Sequence, residues 1–348
     1  MFFFFLIDSI ADLRVFPVRQ RPHGDDVFGL MLRFQLPTFI ALSYPLLARE
    51  DNRAKVASSI VLAGSVASVL AIGQYAGVLT FLFPRFPASS PVYSVFGNPG
   101  LLGGYIAIAL PLALLGYLRA SSMQPLLLAA LPAMMSALLL SGARTAWLAA
   151  AVGCAIVVWK TANPRKIAIA AVLLVVASSA CVVLAPEQTV VRAASLLKSS
   201  DAGANLRWWF WAGALSMFKE NFIAGVDIGH FALESPRYLG DVLWSSDGQS
   251  FMHNTLLTEH PHNDFLLVAS ETGVIGVLFC VWLLFVAVKG RGPEWAAFCS
   301  WLVFALFNSP LHSPPHALAG FMLAACLVQR SSGPLPEEFS VAMWGRRL

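Results

Sequence analysis

The sequence predicts an all-α, polytopic membrane protein, and three observations carry that prediction. Of 348 residues, 57% are hydrophobic and 12% charged, with a mean hydropathy of +0.70, far from the balance of a soluble globular domain. The apolar residues gather into roughly nine runs of bilayer-spanning length, interrupted by one long polar segment. Lys and Arg collect in the short segments between runs, as membrane topology demands.

Taken in order, Met1 to Ile7 is apolar but short, and Asp8, Asp12 and Arg14 follow it instead of a small-residue cleavage site. It reads as the stub of a membrane segment rather than a signal peptide. Apolar runs follow at about 28–48, 55–83, 100–118, 124–142, 143–159, 166–185, 264–289, 294–310 and 315–329. Arg33 lies inside the first, so that helix begins nearer Phe34 or lets the arginine snorkel. Pro111 and Pro132 are tolerable inside runs, because neighbouring helices resatisfy the backbone. The chain thus divides into N-terminal membrane helices (1–186), a large outward-facing loop (187–263), C-terminal membrane helices (264–330) and a tail with Pro334 and Pro336 (331–348).

Orientation follows from the basic residues. Alternating the crossings places Arg49, Arg53, Lys55, Arg119, Lys160, Arg165, Lys166, Lys289, Arg291, Arg330, Arg346 and Arg347 on one side. The other short connections hold only Arg85 and Arg144, and the N-terminal Arg14, Arg19 and Arg21 weaken the contrast without reversing it. The first side is therefore expected to be cytoplasmic. A net charge of +4 is too small to imply nucleic acid, and no DNA-binding motif is present. Cys154, Cys181, Cys280, Cys299 and Cys326 all fall within apolar runs without CxxC spacing and read as packing residues.

The densest polar cluster is His260-Pro261-His262-Asn263-Asp264, at the mouth of the apolar run that continues to Val288. Asn263 or Asp264 can cap that helix, whose unpaired N–H groups favour an anion, while two histidines beside them exchange protons near neutral pH. Three further features are expected on the same face. Asn98, in Phe96-Gly97-Asn98-Pro99-Gly100, either hydrogen-bonds a substrate or caps a helix. Arg144 sits at a tight connection, where a buried arginine needs an anion or carbonyl oxygens. Arg207, before Trp208-Trp209-Phe210-Trp211, carries a planar fork suited to phosphate oxygens, in an aromatic stretch suited to the headgroup level. His312 and His316 flank Pro314-Pro315 as turn residues. Glu271 is expected to bond Thr272 or a neighbouring helix, and Asp264 to cap its helix or to hold a histidine tautomer.

Together these pieces resemble the O-antigen ligase and O-antigen polymerase superfamily, integral-membrane glycosyltransferases acting on polyprenyl-diphosphate-linked glycans. The motifs that carry the resemblance are FGNPGLLGGYIAIALPLAL, SGARTAWL, Arg207 to Trp211 followed by AGVDIGHF, HPHNDFLLVASETGVIGVL and SPLHSPPHALAGFML. The chain departs from the pattern at Gly100, where Asn is common; at Thr145, where Gly is common; and at Asp227, which interrupts a Gly-rich turn. The family usually has about a dozen spanning helices, so some are expected to be missing at the N-terminus, which bears on the completeness of the donor groove.

The resemblance implies that Arg144 and Arg207 hold the diphosphate and that His262 is the catalytic histidine. Asn98, His260, Asn263 and Asp264 are the candidate substrate-binding residues. Two guanidiniums would stabilise the leaving group without a metal, so no metal and no cofactor are expected. The expected partners are a polyprenyl-diphosphate-linked glycan donor, a glycan or lipid acceptor and the bilayer, with the site on the periplasmic face of a bacterial cytoplasmic (inner) membrane. Two other readings compete: a transporter, which should place charges near mid-membrane in interrupted helices, and an inactive scaffold of a glycan-assembly complex.

Overall fold

The computed structural model describes residues 44–79, 91–119, 125–161, 164–185, 190–191, 194, 202–244, 258–290 and 292–331. Among them the regular structure is helical throughout, without a strand. Ten α-helices follow in order: α1 Glu50–Tyr75, α2 Pro99–Arg119, α3 Pro125–Leu140, α4 Arg144–Lys160, α5 Pro164–Leu184, α6 Ala202–Glu220, α7 Phe231–Trp244, α8 Asp264–Lys289, α9 Trp295–Ala305 and α10 Pro314–Ser331. Short 3-10 turns at Tyr44–Ala48, Ser94–Phe96 and Pro310–His312 join them. Helices α2, α3, α5 and α10 start on proline, whose fixed φ suits the first helical position and whose missing N–H would have been unpaired there anyway.

Four of these helices, α1, α2, α5 and α8, are long and apolar enough to cross a membrane. The apolar runs at 124–142 and 294–310 give helices of only 16 and 11 residues, below the roughly 20 that a simple crossing needs. The nine runs are thus not nine full-length spans among the described residues. The run at 28–48 falls mostly outside them.

Helix α2 is the axis of the bundle. A helix apolar on every side is covered by protein or by lipid, and for α2 the cover is protein: 89% of its spanning window is buried. It packs against α1, α3, α4 and α9 and touches α5 and α10. Pro111 lies within it without ending it. Helix α5, by contrast, exposes Val172, Val175, Val176, Val182, Val183 and Leu184, the apolar surface expected of a helix that faces lipid.

Basic residues gather at one end of the bundle, where they complete helix termini. Lys166 Nζ donates to the carbonyl of Tyr117 at 3.3 Å, at the C-terminal end of α2, where the helix dipole favours a cation. Arg53, only 8% exposed, donates to the carbonyls of Leu47 and Ala48 at 2.6 and 3.0 Å. Arg330 pairs with Glu50 at 3.3 Å and with the buried Glu294 at 3.6 Å, tying α10 to α1 and to the start of α9. Lys160 Nζ stands 4.1 Å from the Trp295 ring centre. The opposite end holds the N-termini of α2, α4, α8 and α10.

Candidate functional site

At that opposite end, His316 and Asp264 bind the bundle together. His316 is fully buried among Phe96, Tyr105 and Phe304. Its Nε2 meets the carbonyl of Leu101 and its Nδ1 the hydroxyl of Ser313, both at 2.8 Å. A carbonyl only accepts, so the proton sits on Nε2 and Ser313 donates to Nδ1. His316 is therefore a core pin between α2 and α10 rather than a turn residue.

Asp264 is 3% exposed, and its Oδ2 accepts from the Leu311 N–H at 2.8 Å. The expectation that it caps its own helix or holds a histidine tautomer is corrected: it anchors the start of α8 to the turn ahead of α10. The cap is Asn263, whose Oδ1 accepts from Leu266 N–H at 3.1 Å. Asn98 is also a cap, its exposed Oδ1 accepting from Gly100 and Leu101 N–H at 2.7 and 3.3 Å.

His262 has φ +53, a left-handed backbone uncommon outside glycine. It follows the buried Pro261 and precedes the cap, so the turn is fixed on both sides. Its ring centre lies 4.7 Å from that of His260 and 6.1 Å from Phe210. His260 in turn stacks on His312 at 5.3 Å. Burial, with His260 and Arg207 adding positive potential, lowers the His262 pKa to about 4; burial also lowers that of His260, against the pull of Glu259. A neutral imidazole beside a guanidinium is an acceptor of protons next to a holder of anions. Among the described residues no group of three His, Cys, Asp or Glu is arranged to hold a metal; His260 meets His262 edge-on and stacks on His312.

Arg207 comes from the first turns of α6, which is held by Trp209 Nε1 donating to the Leu239 carbonyl at 3.1 Å and by the buried Ala214 and Met217. Trp211, one turn on, stands 6.1 Å from Phe307, between α9 and α10. Arg144 opens α4, and its neighbour Thr145 accepts from Asn308 Nδ2 at 2.7 Å. The 307–312 connection thus meets the starts of α4 and α8 and the middle of α6. His260 and His262 meet directly, and Arg207 is near enough to act on His262 electrostatically. Arg144 reaches the same end through Thr145 and Asn308, and Asn98 through α2 and His316.

Sequence reasoning missed His312, Trp211 and the 307–312 connection. The alternation of crossings put His312 at the same end as His260, where it is found, but nothing local distinguishes a turn histidine from one stacked on a distant ring.

Hydropathy alone runs α8 through without a break, but the resemblance includes a Glu-x-Gly turn at Glu271-Thr272-Gly273, and the helix breaks there. Gly273 has φ +62 and ψ −145, a combination essentially confined to glycine. The break is filled by the segment after α6: Val274 N–H donates to the Phe222 carbonyl at 2.8 Å, and Val226 and Asp227 N–H donate to the carbonyls of Ser270 and Glu271 at 3.0 and 3.1 Å. A Cβ on Gly273 would overlap the Ile223 carbonyl, and one on Gly225 the Glu271 backbone. Glu271, 6% exposed, accepts the Phe231 N–H at 3.3 Å and so caps α7. The expected bond to a neighbouring helix is the one found.

A family model described as O-antigen ligase matches residues 127–281. This segment is similar to an O-antigen ligase domain. The match runs from α3 into α8 and includes Arg144, Arg207, His260, His262 and the Gly273 break, while Asn98 and the 307–312 connection lie outside it. It supports a membrane glycosyltransferase of the ligase or polymerase type. No curated protein matches the chain at a significant level.

Proposed function

We propose that the protein transfers a polyprenyl-diphosphate-linked glycan to a hydroxyl of a glycan or lipid acceptor, at the periplasmic face of a bacterial cytoplasmic membrane. The observation that carries this reading is the neutral His262 held beside Arg207 at the mouth of α8. In the reaction, His262 accepts the acceptor's hydroxyl proton and the freed oxygen attacks the anomeric carbon. The carbon–oxygen bond to the diphosphate breaks, and its electron pair leaves with the polyprenyl diphosphate. Arg207 and Arg144 offset the charge that builds there. His260 and Asn98 border the substrate, while Asn263 and Asp264 hold the helix mouth in place. The periplasmic assignment rests on the basic residues of the opposite end; on this reading the helices shorter than a full span cross as parts of one bundle, and residues 187–263 lie outside the membrane.

The interrupted α8 also invites a transporter reading, since transporters expose broken-helix backbone to their substrate. Here the 222–227 segment occupies backbone groups on both sides of Gly273 and Glu271 caps α7, which favours the enzyme.

The test uses purified protein in detergent with a polyprenyl-diphosphate-linked glycan. His262→Ala is expected to cut transfer by about 10²–10⁴ while retaining donor binding. Arg207→Ala should lose donor binding, and Arg207→Lys, which keeps the charge without the fork, should still fail substantially. Full transfer by folded His262→Ala would remove the general-base mechanism.

A further inference from the structure

A second concave site lies away from His262, at the break in α8. It is a cleft of about 390 Å³ lined by Asn221, Asp227, Glu234, Arg237 and Tyr238, with Gly225 at its base. We propose that it is a sugar-binding subsite for the glycan, which rests on the transferase reading and extends it to a second point of contact.

The chemistry of the wall selects the ligand. Tyr238 O–H donates to Glu220 Oε2 at 3.1 Å, Asn221 Nδ2 donates to Tyr238 Oη at 2.9 Å, and Arg237 donates to Glu220 at 3.4 Å. These bonds order Asn221 and Tyr238, while Arg237 pairs with Glu220 at the surface; further guanidinium N–H groups, the Asn221 carbonyl and the carboxylates of Asp227 and Glu234 line the cleft. Donors and acceptors side by side match the vicinal hydroxyls of a pyranose. Two carboxylates facing one guanidinium, itself paired with a third, disfavour an anion such as diphosphate, and Ala224 and Val226 offer little to an apolar ligand.

The backbone holds this wall rigid. The loop is fastened to α8 by the three bonds across the Gly273 break. Asp227 within it has φ +84, between Gly225 at +71 and Gly229 at +86. Glycine would adopt that conformation freely, so what aspartate adds is a carboxylate at the cleft, and no protein partner for it occurs among the described residues. Residues 264–272 separate the cleft from His262 along the helix, about 14 Å at 1.5 Å per residue. A sugar in the cleft and a hydroxyl at His262 are then parts of one extended oligosaccharide.

Binding of methyl glycosides of glucose, galactose, mannose and N-acetylglucosamine to the purified full-length protein, followed by saturation-transfer NMR, tests this without turnover. At least one glycoside should receive saturation. Asp227→Gly, which the backbone accepts, and Arg237→Gln should weaken that binding at least tenfold, while His262→Ala should leave it unchanged. Absence of transfer to every glycoside, or unchanged binding in both cleft variants, would overturn the subsite. If binding behaves as expected but no lipid-linked donor supports transfer, the transferase reading fails and the subsite stands. In a transfer assay, Asp227→Gly should raise one KM at unchanged kcat: the acceptor's if the acceptor chain occupies the cleft, the donor's if the donor glycan does. Unchanged values of both overturn it.

Discussion

Helices α2 and α8 are both apolar and both long enough to span a bilayer, yet they behave in opposite ways. Helix α2 contains Pro111 and runs unbroken, with 89% of its spanning window buried; α8 has no proline, is 33% buried over its window and breaks at Gly273. The usual helix breaker is tolerated in one, and a residue often accommodated inside membrane helices opens the other. The difference lies in what each meets. Among the described residues no backbone–backbone bond joins α2 to another element, so nothing competes for its helical bonds. Beside α8 runs a segment of free backbone, Phe222 to Asp227, whose N–H and C=O groups replace the intrahelical bonds that the break gives up. A break in a membrane helix therefore depends on a backbone partner more than on a breaker residue.

The strongest way to test that contrast is to fill the break. Gly273→Val combines a disallowed backbone with overlap on the Ile223 carbonyl and should cost more than about 3 kcal/mol. It is expected to abolish the monodisperse folded protein on size-exclusion chromatography. Pro111→Ala should leave α2 continuous and cost about 1–2 kcal/mol through the small cavity left by the ring. A Gly273→Val protein as heat-resistant as Pro111→Ala would remove the claim that the break is built in.

A smaller effect is expected at Glu271, which joins the break to the first turn of α7. Glu271→Gln keeps an acceptor for Phe231 N–H but loses the charge at a helix N-terminus, at a cost of about 1–2 kcal/mol. The thermal-inactivation half-life should shorten accordingly, with the transfer rate per folded molecule largely kept. A loss of transfer as large as that of His262→Ala would instead put Glu271 in the chemistry.

The smallest shift concerns pH. Because burial, His260 and Arg207 hold the free His262 at about pH 4, the acid limb of kcat/KM should lie well below the ordinary histidine value of about 6.5. Removing the Arg207 charge in Arg207→Gln should move that limb upward in whatever residual activity remains. The linked stability has the same sign: a histidine depressed on folding contributes stability above pH 6.5 and loses it as the pH falls toward 4. An acid limb at 6.5 in the wild type, unmoved by Arg207→Gln, would separate His262 from Arg207.

Much of this was legible from the residues alone. Hydropathy located α2, α3, α4 and α5 to within a few residues, because an apolar run is a local property. The caps at Asn98 and Asn263 were foreseeable for the same reason: a short polar side chain before a helix reaches the N–H groups two or three residues on. The count of nine spans was not delivered, since run length does not say where a helix ends against its neighbours; α9 stops at Ala305, and the chain after it turns to meet α4 and α8.

By itself, then, the sequence determined that the chain is helical and membrane-spanning, which end of the bundle is basic, and that histidines and arginines fall at the opposite end. These follow from composition, spacing and alternation. The tertiary structure decided that His316 is a core pin while His312 joins the histidine stack, that Asp264 ties α8 to Leu311 instead of capping it, and that α8 opens at Gly273. Each of these depends on partners between about 40 and more than 200 residues away. No local pattern encodes such a partner; packing alone brings it within reach.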